Sequence, residues 1–227
     1  MSAERTALLA RLAGLIVSVR RPHPVRVAID GVDAAGKTTL ADEIAEVLRA
    51  TRQQDVIRAS IDGFHRPRAA RHLRGALSPL GYYADSFDMS AVRTFLLDPL
   101  GPDGDLRYRS AVYDYRADRP VETPDALAAP DSVLVFDGIF LLRPELRPAW
   151  DLRLFVSVGF AEILRRAGRR DADLFGTVAQ VRHRYHARYI PAQRHYLAAE
   201  RPAYDADIVV YNDDPARPSM RTRTTSR

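Results

Sequence analysis

The residues Gly31-Val32-Asp33-Ala34-Ala35-Gly36-Lys37-Thr38 satisfy G-x-x-x-x-G-K-[ST], the spacing with which backbone N–H groups and one lysine cradle the phosphates of a nucleotide. Lys37 is the only lysine among 34 basic residues; every other one is arginine. A compact ammonium on a flexible stem can reach β- and γ-phosphates where a wide planar guanidinium does not substitute. Gly31, Asp33, Ala34, Ala35, Gly36, Lys37, Thr38 and Thr39 are therefore expected to line a phosphate site, with the Thr38 hydroxyl on Mg²⁺. Asp137 follows the apolar run Val133-Leu134-Val135-Phe136, the arrangement that holds such a metal directly or through water. Asp62, in Ser60-Ile61-Asp62-Gly63-Phe64-His65, could take the proton of an acceptor hydroxyl; beside Gly63 it could equally be a turn carboxylate.

These groups must be carried by elements. Five apolar runs, 25–29, 55–61, 132–136, 151–158 and 207–211, read as strands covered on both faces. Helical spacing fills most of the intervals, at 38–50, 89–97, 161–170 and 176–199, and Pro191 predicts a kink or a break in the last. This alternation implies a doubly wound α/β domain with a five-stranded, mainly parallel sheet and ligands at the carboxyl ends of its strands. The Pro- and Gly-rich stretch 98–124 breaks the pattern and suits a small flap. A helix at about 160–176 carries Arg166, Arg169 and Arg170 and suits a lid that covers the phosphates on closure; a solvated basic face is the alternative.

The 227 residues, 46% of them hydrophobic, can bury one full core. Residues 24–214 are expected to form that domain, with 1–23 as an amphipathic helix packed on it and 215–227 as a disordered basic tail. The absence of cysteine excludes disulfides, thiolate metal sites and a thiol nucleophile. No segment reads as a membrane span or a cleaved signal, so the cytoplasm is the default location and no membrane partner is expected. A net charge of +5 suits an anionic ligand such as ATP; nucleic acid is not expected as a partner, because no reader module accompanies the arginines. A homo-oligomer is compatible with the sequence but not required by it.

Gly31–Thr38, Asp62-Gly63-Phe64-His65-Arg66, Asp137-Gly138-Ile139, Arg170-Asp171 and Tyr189-Ile190-Pro191 together resemble the uridine kinase-like branch of the P-loop kinases, which includes phosphoribulokinase and bacterial pantothenate kinase. The resemblance spans residues 24–212. It implies ATP and Mg²⁺ as cofactors, Asp62 as catalytic base and Asp137 at the metal. It also implies flap contacts to the acceptor through Tyr113-Asp114-Tyr115, and closure by Arg166, Arg169 and Arg170 beside Lys37. His65 and Tyr83 are further candidates for the acceptor, a nucleoside or related small molecule. Two departures stand out: Arg116-Ala117-Asp118-Arg119 lies where uridine kinases carry a histidine, and Phe175-Gly176-Thr177 replaces the lid's R-G-R.

The expected activity is ATP-dependent transfer of the γ-phosphoryl group to an acceptor hydroxyl, most like uridine kinase. A pantothenate kinase-like or thymidylate-like nucleoside monophosphate kinase is the alternative, although the D-R-[YF] element of thymidylate kinases is missing. A more distant alternative is a nucleotide- or nucleic-acid-binding regulator without kinase activity. A GTPase would want N-K-x-D, which cannot occur when the single lysine is Lys37. Arg66, Arg68, Arg71 and Arg74 with His65 and His72 form either an anion-binding patch for an acidic acceptor or a solvated loop.

Overall fold

A computed structural model of the chain describes residues 1–52, 55–122 and 124–223. Helix α1 (Ala3–Ser18) is capped by the Ser2 hydroxyl, which accepts from Arg5 N, and it buries Leu8, Leu9, Leu12, Ala13 and Ile16. Strand β1 (Val25–Gly31) leads through the glycine loop into α2 (Lys37–Arg52) and then β2 (Val56–Ser60). After a 3-10 turn (Ile61–Phe64) come α3 (Arg68–Arg71), α4 (Pro79–Asp85) and α5 (Met89–Val92), the last extended by one wide π turn (Arg93–Leu97). The flap follows as four two-residue strands: β3 (Arg107–Tyr108) pairs with β6 (Ala126–Leu127), and β4 (Tyr113–Asp114) with β5 (Arg119–Pro120). Strand β7 (Val133–Gly138) and strand β8 (Leu152–Ser157) precede α6 (Phe160–Arg170), α7 (Ala172–Phe175) and α8 (Val178–Arg184). Helices α9 (Ile190–Glu200) and α10 (Pro202–Asp205) then lead to β9 (Ile208–Tyr211) and β10 (Ser219–Thr222).

The central sheet runs β10-β9-β8-β1-β7-β2 and is parallel except at β10. It has six strands where the sequence predicts five. The sixth lies in the stretch expected to be a disordered tail: 219–222 pairs antiparallel with β9, with Ser219 opposite Tyr211 and Thr222 opposite Ile208. Its side chains are mostly exposed, so backbone bonding rather than apolar burial holds it, and hydrophobic patterning gives no sign of it. Residues 224–227 of that stretch lie outside the described residues.

Both sheet faces are covered, with the period of two that strand geometry imposes. Val25, Val27 and Ile29 of β1 join Val133, Val135, Leu154 and Val156 in a cluster beneath α1, α2 and α6. Ala28, Leu134, Phe136 and Phe155 point the other way, into an aromatic-rich cluster with Phe64, Phe140, Trp150 and Tyr196. In the last long helical stretch the chain forms a π turn at Tyr185–Tyr189 and resumes as α9 with Pro191 in its first turn. Proline has no N–H for the i→i−4 ladder, and the widened turn meets that loss without ending the rod. Strand register does the most for function. Ile29 of β1 and Ser60 of β2 both stand opposite Asp137 of β7, so the glycine loop, Asp137 and Asp62 emerge on one rim.

Candidate active site

The glycine loop is shaped by backbone conformations that few side chains tolerate. Gly36 has φ +89°, and a Cβ there would sit 2.9 Å from Asn212 Nδ2; Gly31 would place one 2.6 Å from Val156 O. Ala34 also lies in the left-handed region, at φ 58°. The Asn212 side-chain amide donates to Ala35 O at 2.8 Å and so ties the loop to the end of β9. Lys37 Nζ folds back to donate to Val32 O at 2.8 Å. Burial lowers its pKa, while the carboxylates of Asp33, Asp30 and Asp137 favour the charged form.

Four aspartates surround that ammonium. Asp30 is fully buried; its carboxylate accepts from Gly31 N at 2.7 Å, Leu142 N at 3.3 Å and the Tyr196 hydroxyl. Burial outweighs these bonds and raises its pKa to about 6. Asp33 accepts from Tyr82 OH at 2.9 Å and Gln193 Nε2 at 2.7 Å, and burial raises its pKa. Asp137 accepts from Thr38 Oγ1 at 2.6 Å and from Arg58 Nη2 at 2.9 Å. No cluster of three or more His, Cys, Asp or Glu able to hold a metal exists among the described residues. One carboxylate beside one hydroxyl at a phosphate loop nevertheless suits Mg²⁺, which keeps several waters and takes its other ligands from phosphates.

Asp62 lies in the turn after β2, reached by solvent yet walled in by protein at longer range, as on the floor of an open cleft. Desolvation raises its pKa, the Asp137 charge adds to this, and Lys37, Arg170 and Arg116 oppose it. The flap docks directly on this turn: Val112 N donates to Gly63 O at 2.8 Å, and a Cβ on Gly63 would meet the Ala111 Cβ at 2.8 Å. His65 Nδ1–H donates to Asp62 O at 3.0 Å, and the ring stacks on Tyr115 at 4.6 Å. Burial lowers the His65 pKa to about 4, so the ring is neutral at physiological pH. Tyr113 turns away and donates to Asp118 at 3.0 Å.

Tyr83 does not join this group. Its hydroxyl donates to Glu200 at 3.3 Å, and Arg143 lies over its ring at 4.3 Å, on the far side of α4. Its neighbour Tyr82 faces the cleft instead, through Asp33.

The lid arginines divide three ways. Arg166 donates to Ala35 O of the loop at 3.3 Å and to Asn212 O at 2.6 Å, while Glu162 fixes its Nε at 2.7 Å. Arg170 is clamped by Asp171 at 2.6 Å and 3.2 Å and bears electrostatically on Asp33, Lys37 and Asp62. Arg169 is exposed and has no side-chain partner among the described residues, as is true of Thr39.

No family model matches the chain. A relative among curated proteins, uridine-cytidine kinase B of Dictyostelium discoideum, is 27% identical over 190 residues, which cover 83% of this chain and 74% of that protein. A Bacillus stearothermophilus structure described as a possible uridine kinase superposes with TM-score 0.72 at 23% identity, covering 90% of this chain and 97% of the other. These likenesses support a place for the chain in the uridine kinase-like branch of the P-loop kinases. The fold also matches a D-glycerate 3-kinase from Cryptococcus neoformans, with TM-score 0.61 at 15% identity over 90% of this chain and 94% of that one.

Several residues that shape this kinase's site escape sequence reasoning. Arg58, mid-strand in β2, reaches Asp137 only because the β2–β7 register aligns them. Asn212 and Arg5, 207 positions apart, meet at 3.3 Å beside the loop. Nothing in the sequence near either marks them. Ser78-Pro79, by contrast, is a helix-start signal that announces α4; Ser78 Oγ caps it by accepting from Gly81 N at 3.0 Å.

Proposed function

We propose that this kinase transfers the γ-phosphoryl group of ATP to a hydroxyl of a small-molecule acceptor, with Asp62 as the base that receives the hydroxyl proton. The observation that carries this reading is the shared rim, where Lys37, Thr38 and Asp137 lie together and Asp62 stands two residues past the strand that pairs with Asp137. Lys37 would leave Val32 O to hold phosphate oxygens, together with the N–H groups of residues 33–39. Thr38 and Asp137 would hold Mg²⁺, which when bound neutralises phosphate charge. Arg58 holds the Asp137 carboxylate in place through its Nη2 at 2.9 Å. The raised pKa of Asp62 makes it a stronger proton acceptor, while Lys37, Arg170 and Arg116 favour its charged form.

Arg166, already bonded to the loop backbone, and Arg170, held toward the aspartates by Asp171, would cover the transferring charge. Arg169 would have to move to take part. On the acceptor side His65 and Tyr115 form an aromatic wall, and Tyr113 supports the flap through Asp118. Uridine is the acceptor suggested by the name of the Dictyostelium relative and serves as the reference substrate. No helix among the described residues is long and apolar enough to cross a membrane.

The test is ADP release from ATP and Mg²⁺ against a panel of hydroxyl acceptors, with Lys37→Ala as control. Acceptor-dependent ADP release that the substitution abolishes supports the reading, and its absence across nucleosides, nucleotides, pantothenate and sugar phosphates refutes it.

A further inference from the structure

Arg188 of the π turn is only 5% exposed, yet no carboxylate lies within ion-pair distance of it among the described residues. Its guanidinium donates to Ala76 O at 2.6 Å and to Ser86 Oγ at 3.4 Å, and lies 5.3 Å from the Tyr82 ring centre and 5.9 Å from that of Tyr189. Those contacts leave most of its N–H groups without an acceptor. Arg71 on α3 is similar: its ion pair with Asp118 is long, at 3.4 Å, its bond to Tyr115 O is 3.5 Å, and its Nε is buried with no partner. Arg71 and Arg188 bear on one another and on His65, the residue bonded to the Asp62 carbonyl, and both also bear on His72, as do Arg68 and Arg184. The acids nearby are Asp118, already shared by Arg68 N, Arg71 and Tyr113, and Asp33, which is taken by Tyr82 and Gln193. Crowding like charges in partly desolvated positions is unfavourable unless an anion joins them.

We propose that the acceptor of this kinase bears an anionic group, a carboxylate or a phosphate, seated between Arg71 and Arg188, while its hydroxyl reaches Asp62 past His65 and Tyr115. This rests on the kinase reading above and narrows its substrate class from any hydroxyl compound to hydroxy acids and phosphate esters. A neutral nucleoside would leave the arginine donors unanswered. Arg116, on the flap beside Tyr115, adds the same sign and bears on Asp62.

The experiment measures kcat/KM by ADP release for glycerate and ribose 5-phosphate against neutral glycerol, ribose and uridine, in wild type, Arg71→Gln and Arg188→Lys. The proposal expects an anionic acceptor to exceed its neutral counterpart by at least about 10-fold, the worth of one charge-assisted contact. Preference for glycerate or for ribose 5-phosphate tells carboxylate from phosphate. Arg71→Gln should raise KM for the anionic acceptor about 10-fold with kcat and the KM for ATP little changed, and Arg188→Lys, which keeps a charge but loses the fork, should raise it less. A wild type that phosphorylates uridine as well as or better than every anionic acceptor overturns the proposal while leaving the kinase reading intact. Equal KM values in Arg71→Gln and wild type overturn it too, because a merely structural arginine would leave that constant unmoved. Should a variant fail to fold by circular dichroism, the wild-type preference decides alone. ADP release with no acceptor at all removes the kinase reading itself, and the proposal with it.

Discussion

His65 offers a pH experiment whose magnitude follows from the structure. Burial of its ring between Phe87 and Tyr115 drives its pKa down, Arg71 and Arg188 add to the cost of a second proton, and the bond from Nδ1–H to Asp62 O opposes this only in part, so the pKa falls from 6.5 to about 4. Between those values the unfolded chain binds a proton that the native protein refuses. This contribution to stability is therefore intact above pH 6.5 and is lost as pH falls toward 4. Going from pH 7.5 to pH 5 should cost about 2 kcal/mol from this group alone, an upper figure because part of the ring meets solvent. Asp30 works in the opposite sense. With its pKa raised to about 6, its native state holds the proton more tightly than the unfolded chain, so stability rises as pH falls through 6, by about 1 kcal/mol over the same interval. The wild type should thus show only a shallow loss, and His65→Gln, which keeps a donor for the Asp62 carbonyl, should isolate the histidine. Urea unfolding of both proteins at pH 7.5 and pH 5 gives the double difference. About 2 kcal/mol more loss in wild type than in His65→Gln is expected; identical pH slopes would refute the claim that the packed ring stays neutral.

Gly63→Ala would push its Cβ into Ala111 at 2.8 Å and displace the flap, so the KM for the acceptor should rise about 10-fold with the KM for ATP unchanged, read by steady-state kinetics. Arg5→Ala removes a paired cation that holds Glu43 at 2.9 Å and Asn212 at 3.3 Å; we expect a loss of about 2 kcal/mol in urea unfolding, together with a several-fold weaker KM for ATP, because Asn212 positions Ala35. Lys37→Ala should lower kcat/KM by at least about 10²-fold with little change in the circular dichroism spectrum, since among the described residues the lysine's side chain bonds only to Val32 O.

The phosphate loop, the parallel sheet and the carboxylates at its rim were legible because each depends on local sequence. A glycine spacing sets the loop, and continuous apolar runs set strands buried on both faces. The branch of kinases was legible from the same motifs. What the sequence hid depends on pairing over distance. Strand 219–222 is held by backbone bonds to β9 and carries no apolar pattern, and Arg58 acts through register. The choice between Tyr82 and Tyr83 turns on the rotation of a short helix, and adjacent helical positions face about 100° apart, which sends one hydroxyl to Asp33 and the other to Glu200. Arg166, Arg169 and Arg170 looked equivalent for the same reason, since only packing shows which of them touches the loop.

Asp62 is proposed to take the acceptor's proton on the rim that Lys37 and Asp137 share. Single-turnover phosphoryl transfer by Asp62→Asn, with ATP affinity measured in parallel by titration calorimetry, tests it most directly. Transfer should slow by about 10²-fold or more with the Kd for ATP within about two-fold of wild type. Transfer at the wild-type rate would contradict it.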